Sequence, residues 1–76
     1  MRSRLTLEEF GTLENGQFVQ LRIQADTQAV VPAIVEGSPW SSKGPGHPPD
    51  SIRLKYGSRK KIFEDFLYDK ISLYQA

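Results

Sequence analysis

Apolar and polar positions alternate most cleanly over 17–26, "QFVQLRIQAD", with Val19, Leu21 and Ile23 on one face and Gln20, Arg22 and Gln24 on the other. A period of two over this length predicts a half-buried strand. The next run, "TQAVVPAIVEG" over 27–37, reads as its antiparallel partner across a turn at "ADTQ". Pro32 has no N–H to give a ladder, which predicts an edge strand, or a bulge at that point. An edge strand with one side unpaired is a natural docking place for another chain, so Pro32 is a candidate partner contact. "IRLKYG", 52–57, alternates again, with Ile52, Leu54 and Tyr56 inward and Arg53 and Lys55 outward.

The two ends of the chain read differently. In "TLEEFGTLENG", 6–16, Thr6 precedes Glu9 by three residues, the spacing at which each side chain satisfies the other's backbone N–H at a helix start. Leu7, Phe10 and Leu13 follow at helical spacing, and a short helix is the preferred reading. The Asn-Gly pair in "ENGQ" also suits a type I′ hairpin turn. Near the C-terminus Phe63, Phe66, Leu67 and Ile71 fit helical spacing, predicting a helix over about 59–69. Residues 71–75 read as its extension or as a short strand, because Ile71 and Leu73 alternate.

Between the strands, "GSPWSSKGPGHPPDS" over 37–51 holds four of the five prolines and three of the six glycines, which predicts a flexible loop. Trp40 lies within it, as a lid on the core or as an exposed partner contact. Pro45 and Pro48 have P-x-x-P spacing, a pattern that arises readily by chance in a proline-rich loop. The expected architecture is α+β, one domain over 1–76. It combines a small curved antiparallel sheet or open β-barrel of three to five strands with a short N-terminal helix and a C-terminal helix.

That order of helix and strands, followed by "RLKYGSRKK" and a late "YDKISLY", resembles the Sm and Hfq small-barrel family. The resemblance lies in topology and covers most of the chain. Where the bacterial family has Tyr-Lys-His near its end, this chain has Tyr68-Asp69-Lys70, and its second strand and 37–51 loop depart from the family pattern.

Composition narrows the function classes. With 76 residues the chain buries a limited share of its surface, about 60% of what unfolding exposes, and such domains lean on a disulfide, a metal or a partner. There is no cysteine and one histidine, His47, so disulfides and thiolate metal sites are excluded. A homo-oligomer, or a place in a larger complex, is therefore expected. No membrane partner is expected, because the longest apolar run is "AVVPAIV". The start "MRSRLTLEEF" lacks the apolar stretch of a signal peptide, and the cytoplasm is the expected location. No P-loop, G-x-S-x-G elbow or dinucleotide fingerprint occurs, so neither an enzyme nor a cofactor is expected.

Charge supplies the sharpest lead. Arg2, Arg4 and Arg22 against Glu8, Glu9, Glu14, Asp26 and Glu36 leave residues 1–38 at −2, whereas residues 39–76 sum to +3. If Ser58 caps the expected C-terminal helix, Arg59, Lys60 and Lys61 occupy its first turn, where the partly positive helix end disfavours cations. A bound phosphate would resolve the conflict, held by Ser58, Arg59, Lys60 and Lys61, with Arg53, Lys55 and Tyr56 extending the track. Two functions follow. One is nucleic-acid binding, to RNA or single-stranded DNA, through this basic strand-to-helix edge. The other is a protein-interaction module of the adaptor or inhibitor kind that phages and other mobile elements encode, binding an acidic surface or pairing at the Pro32 edge.

Overall fold

The structure, a computed structural model, describes residues 3–23, 29–57, 59 and 61–76. A one-turn helix α1 (Leu7–Gly11) precedes five strands: β1 (Phe18–Arg22), β2 (Val31–Trp40), β3 (Ser51–Tyr56), β4 (Ile62–Leu67) and β5 (Ser72–Gln75). A 3-10 turn, Tyr68–Lys70, joins the last two. The strands form one antiparallel sheet in the order β4-β3-β2-β1-β5, open at both ends. The fold class is thus as expected, a small α+β domain.

The capping box is present at the N-terminus as expected. The Thr6 hydroxyl accepts from the Glu9 N–H at 3.2 Å, and the Glu9 carboxylate accepts from the Thr6 N–H at 2.8 Å. The helix stops at Gly11, and a tight turn follows in which the Gln17 N–H donates to the Glu14 carbonyl at 3.1 Å. Gly16 has φ +86° while Asn15 does not enter the left-handed region, so the turn is of the type II kind and not I′.

Strand β2 runs three residues further than alternation suggested, through Gly37-Ser38-Pro39 to Trp40, which faces Ser51. The register slips between Glu36 and Trp40, where Gly37 adopts φ +77° and donates its N–H to Asn15 Oδ1 at 2.8 Å. That irregularity lets a segment rich in loop formers stay in the sheet. The loop is accordingly shortened to 41–50.

Pro32 is neither at an edge nor at the bulge. Strand β2 is central, and Pro32 faces Gln20 of β1. Its missing donor is harmless for a local reason. The Val35 N–H points to β1, donating to Gln17 at 2.9 Å, so by alternation the Pro32 nitrogen points towards β3. The β2–β3 ladder begins only at Ala33 opposite Tyr56.

The expected helix over 59–69 is instead β4 with its preceding turn. All six residues of β4 pair with β3, from Tyr56 opposite Ile62 to Ser51 opposite Leu67. Gly57 and Arg59 both take positive φ in the connection. Helical spacing misled because only Phe66 of Phe63, Phe66 and Leu67 is buried; Phe63 is 57% exposed and Leu67 39%. Cross-strand partners that local spacing cannot show decide the outcome. Residues 72–75 form β5, as the alternation of Ile71 and Leu73 allowed.

One face of the sheet carries the core: Val19, Leu21, Ala33, Val35, Ile52, Leu54, Phe66 and Leu73, closed by Leu5, Phe10, Leu13 and Ile71. Ile23, expected inside, is 38% exposed just past the end of β1. Phe10 is fully buried and meets the Tyr68 ring edge-on at 5.2 Å. The segment before α1 is stitched to the end of the chain: Leu5 N–H to the Leu73 carbonyl (2.8 Å), Tyr68 hydroxyl to the Leu5 carbonyl (2.7 Å), and Arg4 to the carbonyls of Tyr68 (2.7 Å) and Ile71 (2.8 Å).

Removing one such bond tests the stitch. Tyr68→Phe is expected to lower stability by about 1 kcal/mol, the usual net worth of a part-buried hydrogen bond. Urea unfolding measures it, with Tyr74→Phe as a neutral control; equal midpoints for the two variants would count against the stitch.

Candidate interaction surfaces

The cations singled out by charge are brought to the β3–β4 hairpin, but they do not converge. Arg53 and Asp65 face each other across the strands and form a two-pronged pair, at 2.7 and 3.2 Å. The hydrogen bond from Arg53, and then its charge, hold Asp65 below the ordinary carboxylate range, and the same contact raises Arg53. Lys55 lies 3.4 Å from Glu36 on β2, one diagonal step away. The Tyr56 hydroxyl donates to Glu64 at 2.7 Å, and this bond, with some burial, raises its pKa. Three members of the expected phosphate track therefore already have carboxylate partners.

Arg59 and Lys61 lie exposed at the hairpin tip. Ser58 and Lys60 fall outside the described residues, as does the "ADTQ" turn. The premise of a helix start is corrected, because β4 has no dipole of that kind and the unfavourable cation placement disappears with the helix.

The face opposite the core carries an apolar row across four strands. Phe18, Ile34, Lys55 and Phe63 are successive cross-strand neighbours, and Phe18 and Phe63 are each 57% exposed. The Lys55 ammonium lies 5.9 Å from the Phe63 ring centre. The next row, Glu36, Arg53 and Asp65, is charged but paired within itself. Trp40 is no lid on the core. It is 39% exposed and lines a shallow depression of about 320 Å³ with Glu36, Gly37, Ser38 and Arg53.

Strand β4 ends the sheet, with Ile62, Phe63 and Leu67 exposed along it. At the other end, the outer side of β5 is already engaged by Leu5, whose N–H reaches the Leu73 carbonyl.

Sequence reasoning passed over a second group of cations. Arg4, Arg22 and Lys70 line one cavity of about 180 Å³ with Ile23, Asp69, Ile71 and Ser72. They are spread over 66 positions of the chain, so no local spacing pointed to them.

The 41–50 loop is held by Asp50. Its carboxylate accepts from the Ser42 N–H and hydroxyl, both at 2.8 Å, and from the Ser51 hydroxyl at 3.2 Å. Its backbone N–H reaches Trp40, and its carbonyl accepts from Tyr68. No described helix is long and apolar enough to cross a membrane. The chain matches no protein-family model, no curated protein and no solved structure.

The bonds from Ser42 depress the Asp50 pKa below its ordinary 3.8. A carboxylate depressed in the folded state contributes full stability above its unfolded pKa and loses it as pH falls through the lowered folded value. The midpoint of the Ser42 amide resonance in an acid titration is therefore expected below 3.8. The resonance should lose this step in Asp50→Asn, and a midpoint above 3.8 would contradict the assignment.

Proposed function

We propose that this chain is a protein-interaction module that binds an extended segment of another polypeptide along β4. The observation that carries the reading is the state of that edge. Ile62–Leu67 presents an unpaired row of backbone groups about 20 Å long, and sheet edges of this kind add strands readily. Proteins that keep such edges unpaired blunt them with proline, charged side chains or a bulge. Strand β4 has no proline and a regular register with β3, and its two charged residues, Glu64 and Asp65, are both tied back to β3 by Tyr56 and Arg53.

The side chains say what kind of strand fits. Phe63 and Leu67 lie two positions to either side of Asp65 on one face, and both are exposed, so the partner needs apolar residues at alternate positions. Glu64 and Asp65 disfavour an acidic strand opposite them, since like charges across a ladder are destabilising. The same argument weighs against β4 pairing with β4 of a second copy, which would set these carboxylates against their own images. The β5 edge is less available because Leu5 already uses Leu73.

Nucleic-acid binding is the second reading. Exposed Phe18 and Phe63 offer stacking surfaces on one face, Arg59 and Lys61 lie exposed at the β3–β4 hairpin tip, and stacking plus cations is how single strands are held. Glu36 and Asp65, which neutralise Lys55 and Arg53, weigh against it.

A display selection of random nonapeptides against the intact chain separates the readings. Selected peptides are expected to alternate apolar with neutral or basic residues and to slow amide exchange at 62–67. They should bind at least tenfold more weakly to the double variant Phe63→Glu, Leu67→Glu, by roughly the loss of one or two hot-spot contacts. Light scattering with and without short RNA and DNA completes the test. Peptides that leave β4 unprotected overturn the edge reading, and salt-sensitive capture of oligonucleotide would replace it with the second.

A further inference from the structure

We propose that the cavity between the end of β1 and the 3-10 turn is a binding site for a phosphate dianion, inorganic or as a terminal monoester. It is independent of the β4 edge and uses none of its residues.

Three cations line this cavity, Arg4, Arg22 and Lys70, against one carboxylate, Asp69. Among the described residues none of the three is in an ion pair, whereas Arg53 and Lys55 each have a carboxylate within 4 Å. Mutual repulsion of three cations around one space is unfavourable unless something negative sits there. The net +2 of the lining matches the charge of a phosphate dianion and exceeds that of a backbone diester.

Geometry strengthens the case at both arginines. Arg22 Nε is shut off from solvent and has no hydrogen-bond partner, and the only bond of its guanidinium to a described residue is the long contact from Nη2 to Ser72 Oγ, at 3.3 Å. An unsatisfied buried donor on a charged group is among the costlier features a small fold can carry. An oxyanion bound by the Arg22 fork would satisfy it, since two parallel N–H groups match two phosphate oxygens.

Arg4 is pre-positioned. One terminal nitrogen donates to the Tyr68 and Ile71 carbonyls, and the guanidinium carbon lies over the Tyr68 ring, 4.2 Å from its centre. Its orientation is therefore fixed by the fold before any ligand arrives, and little freedom is lost on binding. Lys70 supplies an exposed cation from the turn. The space, about 180 Å³, is many times the ~10–15 Å³ that a single water requires.

The test is a titration of the intact chain with inorganic phosphate, followed by amide chemical shifts at constant ionic strength against chloride. Saturable shifts are expected at Ile23 and at 70–72, which line the cavity. Arg22→Gln and Lys70→Gln should each weaken the affinity about tenfold or more, as loss of a charge-assisted hydrogen bond does. Arg22→Lys, which keeps the charge but not the fork, should recover only part. Arg4 is left unchanged because its loss would also undo the stitch to Tyr68 and Ile71. A parallel arm compares one oligonucleotide with and without a 5′-monophosphate. Preference for the phosphorylated form assigns the ligand to the monoester class, and binding of free phosphate alone to the inorganic ion. Equal binding of both oligonucleotides at the same residues would overturn the dianion assignment. Linear, unsaturated shifts, or shifts unchanged by Arg22→Gln and Lys70→Gln in variants with unaltered circular dichroism, would overturn the site itself.

Discussion

The stitch between Arg4–Leu5 and Tyr68–Leu73 is the contact on which the rest of this structure depends. It joins groups more than sixty residues apart, and closing that span costs chain entropy. Its return is topological. It holds α1 against the sheet, buries Phe10 against Tyr68, and occupies part of the β5 edge. With no cysteine available, hydrogen bonds and one buried ring do what a disulfide does in many domains of this size.

The same contact divides the molecular surface into unlike parts. Near the stitch, Arg4 is held in place beside Arg22 and Lys70, three cations against the one carboxylate of Asp69, and none of the three is in an ion pair among the described residues. At the other end of the sheet, charge is cancelled: Arg53 by Asp65, Lys55 by Glu36. What β4 and the outer face present is apolar, in Phe18, Ile62, Phe63 and Leu67. The cavity and the apolar edge use different side chains, although the Tyr68–Lys70 turn that supplies Lys70 follows directly on Leu67 at the end of β4.

Strand alternation was legible wherever one face is buried and the other wet. Val19 and Leu21, Ala33 and Val35, Ile52 and Leu54 all face the core as their spacing implied. The capping box was legible too, because both halves of the interaction lie within four residues. The 62–67 segment was not. Phe63 and Leu67 suggested a helical stripe, yet they are surface residues of an edge strand, and a pattern cannot report which apolar residues remain exposed. The candidate phosphate track failed to converge for a related reason. Its charge conflict existed only inside a helix that does not form, and its partners Asp65 and Glu36 come from neighbouring strands.

Local chemistry in the chain alone therefore determined where strands alternate, where the first helix begins, and that neither a disulfide nor a thiolate metal site can hold the fold. Tertiary structure decided which strand ends the sheet, that Pro32 sits harmlessly at the start of a central ladder, and which cations keep their charge unpartnered. These are properties of neighbours across strands. Spacing along the chain records the partners of a residue only when they are a few positions away, and the pairs that matter here lie from 8 to 67 apart.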